Sequence, residues 1–412
     1  MATAGWWSVF RVQLIGIAPG SVLSEEQRAC VTRCGCVVAS SRHCPLVEGL
    51  GVEVLPITPV EQTLAAVAER LGRTEVAVLA SGDPLFFGIG RTLISRLGAE
   101  RVVVHPALSS LQLACARFGE PWDDLAVVSL HGRPLGELGG RLLPQQKVFC
   151  FTDRENSPAR VAQTLLAACE NLGDGDLAAS YTVRVAENLG LPDERLHVGT
   201  LAEIAARDFG DLNVMLLSRP ERAAALPAFG LCEAEIAHSR GLITKDEVRG
   251  ATLHALRLPA AGVLWDIGAG SGSVSIEAAR LAPGLRVYAV ERSEAERANI
   301  RANCRTFGAY NLTVVAGAAP EALAGLPDPD RVFVGGSGGN LAAIIDHAAR
   351  RLKDGGTIVV NGVIAATKEQ APALLHRAGL EVTISEISVS RRGYPAGEET
   401  TMNPIAIMVG RK

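Results

Sequence analysis

Short apolar segments rich in β-branched residues alternate with segments of helical periodicity along most of this 412-residue chain. The pattern predicts strands at RVQLIGI, EVAVLAS, RVVVH, KVFCFT and NVMLLS, and helices at EQTLAAVAERL, ARVAQTLLAACENL and LAEIAARD. Such alternation is typical of α/β proteins, in which helices cover the faces of a buried sheet. We therefore predict an α/β fold with largely parallel strands.

The chain is too long for one ordinary domain, since a domain usually contains about 100–200 residues. The composition changes at RPERAAALPAFGL, residues 219–231, where two prolines and a run of alanines follow the strand NVMLLS. Such a segment is typical of a connection between domains. We predict a first domain over 1–222, a linker over 223–231 and a second domain over 232–412.

Composition excludes several classes of function. The net charge is −4 and the isoelectric point is near 6.1, so we expect no surface for nucleic acid. No run of about 18 apolar residues occurs, which argues against a transmembrane helix, and the first residues lack the features of a signal peptide. The nine cysteines include no CxxC pair. We expect free thiols in a cytoplasmic protein and no metal site, with a metal or iron–sulfur site as the alternative.

One glycine-rich turn stands out in the second domain, within WDIGAGSGSVSIEAAR at residues 265–280. A dinucleotide-binding turn would carry its third glycine at position 273, which is a serine here, and a P-loop would need a lysine. Glycines let the backbone approach a ligand closely, and the following helix N-terminus can bind a carboxylate. The predicted cofactor-binding residues of this turn are Gly268, Ala269, Gly270, Ser271 and Gly272.

An acidic residue follows at a suitable spacing. Glu291 ends the next predicted strand, RVYAVE, 19 residues after Gly272. A carboxylate near this spacing can accept hydrogen bonds from ribose hydroxyls. The alternative is a solvated carboxylate at the start of the next helix. Upstream of the turn, Thr244 and Glu247 fit a helix capping box, and we include Thr244 among the cofactor-binding residues.

These features resemble class I S-adenosylmethionine-dependent methyltransferases, whose first motif is D-x-G-x-G-x-G at a strand-to-helix turn. The resemblance implies a Rossmann-like sheet and S-adenosylmethionine as cofactor. It places the adenine at Gly317 and Ala318, although members often carry an acid where this chain has alanine. The D/N-P-P-Y motif of amine methylation is absent. GGSGG occupies that position, and we predict that Gly336, Ser337 and Gly338 contact the substrate, with a flexible loop as the alternative.

Three motifs occur in order in the first domain, namely GIAPG at 16–20, SGDP at 81–84 and PALSS at 106–110. They resemble the tetrapyrrole methylase family pattern of G-x-G-P-G, G-D-P and P-[GA]-x-S-S, with Ala18 replacing the middle glycine of the first loop. The resemblance implies two α/β lobes with a cofactor cleft between them. The cofactor-binding residues that it implies are Gly82, Asp83, Ser109 and Ser110.

The substrate side of that cleft follows from the same resemblance. Gly16 and Gly20 in the first loop would border the substrate. His131 and Arg133, in the segment SLHGR, would face the cleft, with a role in a surface turn as the alternative.

A two-lobed tetrapyrrole methylase domain followed by a Rossmann-like class I methyltransferase domain is an uncommon combination. It resembles the decarboxylating precorrin methyltransferases of cobalamin biosynthesis over essentially the whole chain. The resemblance implies that the first domain methylates C5 of precorrin-6B (precorrin-6Y), and that the second methylates C15 and releases carbon dioxide from the acetate on C12, giving precorrin-8X. Each domain would bind one S-adenosylmethionine.

The substrate would be a small tetrapyrrole that carries many carboxylates, which arginines bind in a bidentate manner. The sequence offers several candidates for that role, among them Arg133, Arg154, Arg184, Arg391 and Arg392. The resemblance also implies a homo-oligomer. No partner nucleic acid or membrane is expected.

The sequence contains no recognisable constellation of nucleophile, general base or metal ligands, so no catalytic residue is predicted. Methyl transfer to an electron-rich carbon needs chiefly alignment, which can supply about 7–11 kcal/mol. Three alternatives stay open: an RNA methyltransferase with the first domain as a binding module, a non-catalytic metabolite-binding protein, and a NAD-linked reductase, which the glycine spacing disfavours.

Overall fold

The computed structural model describes residues 10–220, 227–239, 243–395 and 397–412. These residues form two five-stranded sheets, one seven-stranded sheet and a two-stranded ribbon, with helices packed against the sheets. The α/β class and the order of the two domain types are as predicted. No helix in the described part of the chain is both long enough and apolar enough to cross a bilayer.

The first lobe is built on a sheet whose strands are all parallel. Its strands are β1 (Val12–Ile17), β2 (Cys36–Ala39), β3 (Glu53–Pro56), β4 (Val76–Ser81) and β5 (Val102–His105). Its helices are α1 (Glu25–Arg33), α2 (Val60–Arg70) and α3 (Gly90–Leu97). The strand order is β3-β2-β4-β1-β5. All residues of the interior strand β1 are buried, as expected for a parallel strand that is covered on both faces.

The second lobe is mostly antiparallel. Its helices are α4 (Ser110–Phe118), α5 (Leu138–Leu142), α6 (Pro158–Leu172), α7 (Gly175–Ser180) and α8 (Leu201–Ala205). Its strands are β6 (Ala126–Ser129), β7 (Lys147–Phe151), β8 (Thr182–Glu187), β9 (Arg195–Gly199) and β10 (Asn213–Ser218). In the order β6-β7-β10-β8-β9, only β6 and β7 run parallel. The prediction of largely parallel strands is wrong for this lobe. Residues 188–194 join β8 to β9, and this connection is too short for a crossover helix.

The second domain is a doubly wound sheet. Its helices are α9 (Asp246–Leu256), α10 (Ser273–Leu281), α11 (Glu294–Phe307), α12 (Leu341–Arg351) and α13 (Ala365–Arg377). Its strands are β11 (Ala261–Ile267), β12 (Gly284–Glu291), β13 (Leu312–Ala316), β14 (Arg331–Val334), β15 (Thr357–Gly362), β16 (Glu381–Ile387), β17 (Ser390–Arg392), β18 (Glu399–Thr401) and β19 (Ile405–Arg411).

The main sheet of this domain has the order β13-β12-β11-β14-β15-β19-β16, and β19 runs antiparallel to both of its neighbours. The chain passes from β11 outward through β12 and β13, and then returns to place β14 on the other side of β11. The strand order therefore reverses between β11 and β14. Ligands of open α/β sheets bind at the carboxyl ends of the strands at such a point.

The start of α9 differs from the predicted capping box. The helix begins at Asp246, and its N-cap is Lys245, which makes no side-chain capping bond. The Glu247 carboxylate instead accepts hydrogen bonds from the Arg391 guanidinium at 2.8 and 2.7 Å. The box that was predicted from Thr244 and Glu247 is therefore wrong, because an ion pair with a distant residue engages the glutamate.

The two domains share a continuous hydrophobic core. Side chains of α5 and α6, such as Leu138 and Val161, belong to the same buried cluster as Phe307 and Tyr310 of the second domain. Helix α5 carries Gly139 and Gly140 at the contact. A Cβ on Gly139 would lie 2.6 Å from the Tyr310 carbonyl oxygen. The absence of side chains at these two positions therefore allows backbone to pack on backbone across the interface.

Polar contacts reinforce this interface. The Asn171 amide donates to the Leu312 carbonyl at 2.9 Å, and the Arg305 guanidinium donates to the Leu172 carbonyl at 2.5 Å. The Tyr310 hydroxyl lies 3.1 Å from an Asp174 carboxylate oxygen. The relative placement of the domains is thus fixed by buried apolar side chains together with hydrogen bonds.

Part of the predicted linker lies outside the described residues, since 221–226 are not described. The C-terminal end of the predicted linker packs on the second domain. The backbone N–H groups of Gly230 and Leu231 donate to one carboxylate oxygen of Glu277, at 3.0 and 2.5 Å, and Leu231 is fully buried. The domain boundaries at residues 222 and 232 stay predictions.

Candidate functional site

A cavity of about 860 Å³ lies at the carboxyl ends of the parallel strands of the second domain. The turns that follow β11, β12, β13 and β14 form its floor and walls. The strand order reverses at the same place, so the topology and the cavity identify one site. Thr244, from the segment before α9, also lines it.

The glycine turn after β11 touches the turn after β14. Gly268 has a φ of +69°, and a Cβ there would lie 2.8 Å from the Cα and from the nitrogen of Gly336. The N–H groups of Gly335 and Gly336 donate to the Ile267 carbonyl at 3.0 and 3.3 Å. Both the backbone conformation and the close approach therefore require glycine at position 268.

The residues of the glycine turn differ in position. Gly268, Ala269, Gly270 and Ser271 line the cavity. Gly272, also predicted to bind the cofactor, does not line it. It is the N-cap of α10, with a φ of +76°, and a Cβ there would lie 3.0 Å from the Ile300 side chain. The absence of a side chain at Gly272 lets α10 pack against α11. The four residues that precede it border the cavity.

Glu291 is held at the mouth of the glycine turn. Its Oε2 accepts from the Gly270 N–H at 3.0 Å, and its Oε1 accepts from the Ser293 N–H at 2.8 Å. A carboxylate oxygen can accept more than one hydrogen bond. The side chain is therefore oriented by the backbone and retains acceptor capacity toward the cavity, which it lines.

Asp266 is buried beneath the same turn. Its Oδ2 accepts from the Ser275 hydroxyl at 2.5 Å, while Oδ1 has no hydrogen-bond partner among the described residues. Burial raises the pKa of this carboxyl group from 3.8 to about 7. The group lies behind the cavity wall and is absent from the cavity lining.

The remaining predicted residues of the second domain also border the cavity. Gly317 and Ala318, in the turn after β13, line it, as do Gly336, Ser337 and Gly338 in the turn after β14. The structure thus brings the expected adenine turn and the expected substrate turn to one space. Their roles in binding stay predictions.

Sequence reasoning missed several lining residues. Asn361 comes from the end of β15, while Val389, Met402 and Asn403 come from segments around the β17–β18 ribbon. Arg292, directly after Glu291, also lines the cavity. The position of Arg292 beside a predicted cofactor residue was a usable signal. The other four residues carry no local motif. Asn361 lies near the end of β15, which runs parallel to β14, whereas Val389, Met402 and Asn403 reach the site through the antiparallel return of the chain in β16 and β19.

Arg391, a candidate substrate ligand, is engaged within the protein. Its guanidinium pairs with Glu247 at 2.7 Å and with Glu233 at 2.5 Å. These bonds raise the pKa of Arg391 and lower the pKa of Glu247 to about 2. These two ion pairs join β17 to α9, through Glu247, and to the segment before α9, through Glu233.

In the first domain, three predicted motifs meet at the carboxyl edge of the parallel sheet. A Cβ on Gly16 would lie 2.6 Å from the Gly82 carbonyl oxygen, and one on Gly82, whose φ is +66°, would lie 3.2 Å from the Cα of Ser109. The end of β1 and the loops after β4 and β5 are therefore in close contact. Glycine is needed where they approach one another.

Polar side chains in these loops have local partners. Asp83 accepts from the Leu85 N–H at 2.8 Å. Ser109 caps α4, because its hydroxyl accepts from the Gln112 N–H at 3.2 Å, and Ser110 is the first residue of that helix. These contacts fix the loops in place.

The other predicted substrate residues lie around the two lobes. Gly20 has a φ of +71° and packs on the backbone of Gly190, so the first loop contacts the second lobe. His131 and Arg133 are exposed after β6. The His131 Nδ1 lies 3.2 Å from the Ser129 hydroxyl, and the Arg133 Nε donates to the Ser129 carbonyl at 2.6 Å.

No group of three or more histidine, cysteine, aspartate or glutamate side chains is arranged to hold a metal ion in the part of the chain that the structure describes. The second-domain cavity fits a different ligand. The glycine turn has no room for a Cβ at Gly268. The carboxylate of Glu291, at the end of the neighbouring strand, is held by two backbone N–H groups. Both features suit a nucleoside-bearing cofactor.

Comparison with known proteins agrees with this geometry. Residues 11–205 match a family model described as tetrapyrrole (corrin/porphyrin) methylases, and residues 235–409 match one described as a precorrin methyltransferase domain. A precorrin-6Y C(5,15)-methyltransferase [decarboxylating] from Sinorhizobium is 36% identical over 97% of this chain and 94% of its own length. The chain belongs to the precorrin-6Y C5,15-methyltransferase (decarboxylating) family. Methyltransferases of this family use S-adenosylmethionine.

Further relatives of the precorrin-6Y methyltransferase family match all or part of the chain. The Mycobacterium tuberculosis protein with the same name is 32% identical over 86% of both chains. A probable cobalt-precorrin-6B C(15)-methyltransferase (decarboxylating) from Pyrobaculum calidifontis is 43% identical over 40% of this chain and 87% of its own. A solved precorrin-6Y C5,15-methyltransferase structure from Geobacter metallireducens has 45% identity and a TM-score of 0.45, covering 46% of this chain and 100% of that one.

Proposed function

We propose that this chain transfers two methyl groups from S-adenosylmethionine to precorrin-6B, at C5 and C15, and decarboxylates the C12 acetate to give precorrin-8X. The observation that carries the proposal is the Sinorhizobium relative, because one alignment spans 97% of this chain and so includes both domains in the same order. A resemblance limited to one domain would support only one of the two methylations.

The proposal divides the work between the domains. The second domain methylates C15 and releases carbon dioxide, while the first methylates C5. The name of the Pyrobaculum relative supports this division. That protein matches only 40% of this chain, and its name mentions C15 and decarboxylation without C5.

The proposal includes one cofactor site in each domain. In the second domain, the backbone of Gly268–Ser271 would lie against the cofactor, and the Glu291 carboxylate would accept hydrogen bonds from its ribose hydroxyls. In the first, the contacting loops at Gly82 and Ser109 would do so. The bound cofactor supplies an electrophilic methyl group on a sulfonium.

The protein's own contribution to methyl transfer is alignment. Ring carbons of a reduced tetrapyrrole are electron-rich, so the displacement needs the carbon, the methyl group and the sulfur in line. Positioning of this kind can supply about 7–11 kcal/mol. The close backbone contact between Gly268 and Gly336 would hold the turn proposed to bind the cofactor against the turn proposed to bind the substrate.

The substrate's carboxylates call for cationic partners at each cleft. In the second domain, Arg292 lines the cavity and is the arginine best placed for this role. In the first domain, Arg133 is exposed, and its Nε donates to the Ser129 carbonyl. Loss of the C12 carboxylate needs an electron acceptor, which the conjugated ring itself can provide.

The test uses the full-length protein, precorrin-6B and a cofactor labelled with ¹³C on its methyl group. NMR locates each label, and a gas assay measures carbon dioxide. Wild type should give labels at C5 and C15 and one carbon dioxide per ring. Gly268→Ala should lose the C15 label and the carbon dioxide, whereas Gly82→Ala should lose the C5 label.

Gly325→Ala provides the matched control, because nothing lies within 4 Å of a Cβ at that position. It should behave as wild type. If both labels vanish in either cleft variant while the other cleft still binds cofactor, the division of labour is wrong. If wild type labels no ring carbon, the proposed reaction itself is wrong.

The proposal also includes self-association and a cytoplasmic location. Sedimentation of the purified chain should give a mass that is a multiple of 43.2 kDa. Fractionation of the producing cells should recover the protein with soluble metabolic enzymes. A monomer, or a protein found in the membrane fraction, would contradict these two points.

A further inference from the structure

A second cavity, of about 1000 Å³, lies at the opposite end of the second domain's sheet. Arg331 and Thr357, the first residues of β14 and β15, line it, together with the residues that follow α9. It shares no lining residue with the cavity at the glycine turns. The cofactor cleft therefore does not account for it.

Three arginines converge on this second cavity, namely Arg257, Arg331 and Arg411. Leu253, Ala255 and Leu258 form an apolar wall beside them. Arg257 is exposed, while Arg331 and Arg411 are half-buried. The cavity thus combines cationic and apolar surfaces.

Backbone contacts hold one of these side chains in place. The Arg331 Nε donates to the Leu256 carbonyl at 2.7 Å, and its Nη1 donates to the Asp330 carbonyl at 2.6 Å. No hydrogen bond donated by its Nη2 is found among the described residues. The guanidinium is therefore oriented without losing all of its donors.

The second half-buried arginine is less fully bonded. Arg411 lies opposite Thr357 in the sheet, and its Nη1 is 3.5 Å from the Thr383 hydroxyl. Its Nε is buried and has no hydrogen-bond partner among the described residues. Leaving a buried N–H donor without a hydrogen-bond partner costs free energy. The Arg411 guanidinium is therefore incompletely hydrogen-bonded within the described protein.

The positive charge of the cavity is not neutralised locally. Within the described ranges, no carboxylate oxygen lies within 4.0 Å of a guanidinium nitrogen of Arg257, Arg331 or Arg411. The adjacent Asp330 is engaged elsewhere, because its Oδ2 accepts from Lys353 and from the Val263 N–H, each at 2.8 Å. Burial and the neighbouring charge of Arg257 lower the pKa of Arg331, against the opposing effect of Asp330.

We propose that this cavity is a binding site for a small anion that carries two or more carboxylate or phosphate groups. Guanidinium groups match both kinds of oxyanion through paired hydrogen bonds. The volume suits such a ligand, since small-molecule sites usually measure about 300–1,000 Å³. The site rests on its own geometry and is independent of the methyl-transfer proposal.

The experiment is a calorimetric titration of the full-length protein at low ionic strength, with citrate in one arm and inorganic pyrophosphate in the other. The test variant combines Arg257→Gln with Arg411→Gln. Arg331 is left intact, because its bonds to backbone carbonyls support the fold. The control variant combines Arg101→Gln with Arg377→Gln, two exposed arginines outside the cavity, so that both variants lose the same charge.

Wild type and the control should bind at least one of the two anions with one site per chain, and the test variant should bind it at least about tenfold more weakly. The anion whose titration releases or absorbs heat on binding shows whether the site prefers carboxylate or phosphate groups. S-adenosylmethionine should bind all three proteins equally, which verifies folding. The proposal is overturned if neither anion binds wild type, or if the control weakens binding as much as the test variant does.

Discussion

Gly268 and Gly336 lie so close together that a Cβ on the first would be 2.8 Å from the backbone nitrogen of the second. These residues follow β11 and β14, the two strands between which the chain reverses its order. The contact joins the turn expected to hold the cofactor to the turn expected to hold the substrate. A substitution in one turn should therefore alter the backbone position of the other.

The first prediction concerns this contact. Gly268→Ala should weaken S-adenosylmethionine binding in the second domain at least about tenfold, because the left-handed backbone and the close approach both exclude a side chain. Calorimetry should show that the first-domain site is retained. Gly325→Ala, where a Cβ meets open space, serves as the control. Unchanged binding at both sites would show that the contact can relax.

The second prediction concerns Glu291. Glu291→Gln keeps the size of the side chain but removes its charge, so bonds to ribose hydroxyls should weaken by about 1.5–3 kcal/mol, or about ten- to a hundredfold in affinity. Titration with the cofactor measures the effect. Glu369→Gln, an exposed change on α13, should have none. Equal affinities for the two variants would mean that Glu291 serves only the backbone amides.

The third prediction concerns Asp266, whose pKa burial raises from 3.8 to about 7. In the folded protein the group stays protonated up to about pH 7, whereas in the unfolded chain it ionises near its ordinary value. Its contribution to stability is therefore full below about pH 4 and is lost as the pH rises to 7. The wild-type free energy of unfolding, relative to that of Asp266→Asn, should fall over this interval and then level off. A difference that does not change with pH would contradict the raised pKa.

The fourth prediction concerns a buried ion pair. Arg249 and Glu277 are 1% and 2% exposed, with 3.1 Å between Nε and Oε2. Glu277→Ala should reduce the free energy of unfolding by about 3–5 kcal/mol, since it leaves a buried charge without its partner. The exposed pair of Arg350 and Asp346 is the comparison, where Asp346→Ala should cost less than about 1 kcal/mol. Urea denaturation measures both, and similar losses would be inconsistent with the burial.

The fifth prediction concerns the contact between the domains. A Cβ on Gly140 would lie 2.5 Å from the Pro283 carbonyl oxygen. Gly140→Val should therefore destabilise the protein by about 1–3 kcal/mol, as overpacking usually does. Gly175→Ala, with open space around its Cβ position, should leave stability nearly unchanged. Calorimetry should give one transition for wild type, and two independent transitions would contradict the shared core.

The features that could be predicted from sequence are those encoded within one turn. Gly268–Ser271 follow their strand directly, and Glu291 ends the next one, so a short motif and a spacing were enough to place them at one edge of the sheet. The same is true of Gly82 and Ser109 in the first domain. In each case the parallel topology converts adjacency to a strand end into adjacency in space.

The features that could not be predicted depend on distant pairing. The antiparallel pairing of β8 with β10 could not be predicted from the apolar pattern, because buried strands look alike in either direction. Asn403 reaches the cavity only through the return of the chain in β19. Arg391 was a candidate for substrate binding, but it pairs with Glu247, 144 positions earlier. A contact at this sequence separation cannot be predicted from the neighbouring residues.

The paired glycines of α5 also limit how such an enzyme can be re-engineered or can evolve. Gly139 and Gly140 bring their helix against the backbone of Tyr310 and Pro283. Each domain therefore has a surface that is complementary in shape to the other domain. A graft that exchanged the C-terminal half for a homologue's would succeed only if the recipient helix and the donor surface were transplanted together. The two halves are thus expected to diverge as a matched pair, with residues at their boundary changing in concert.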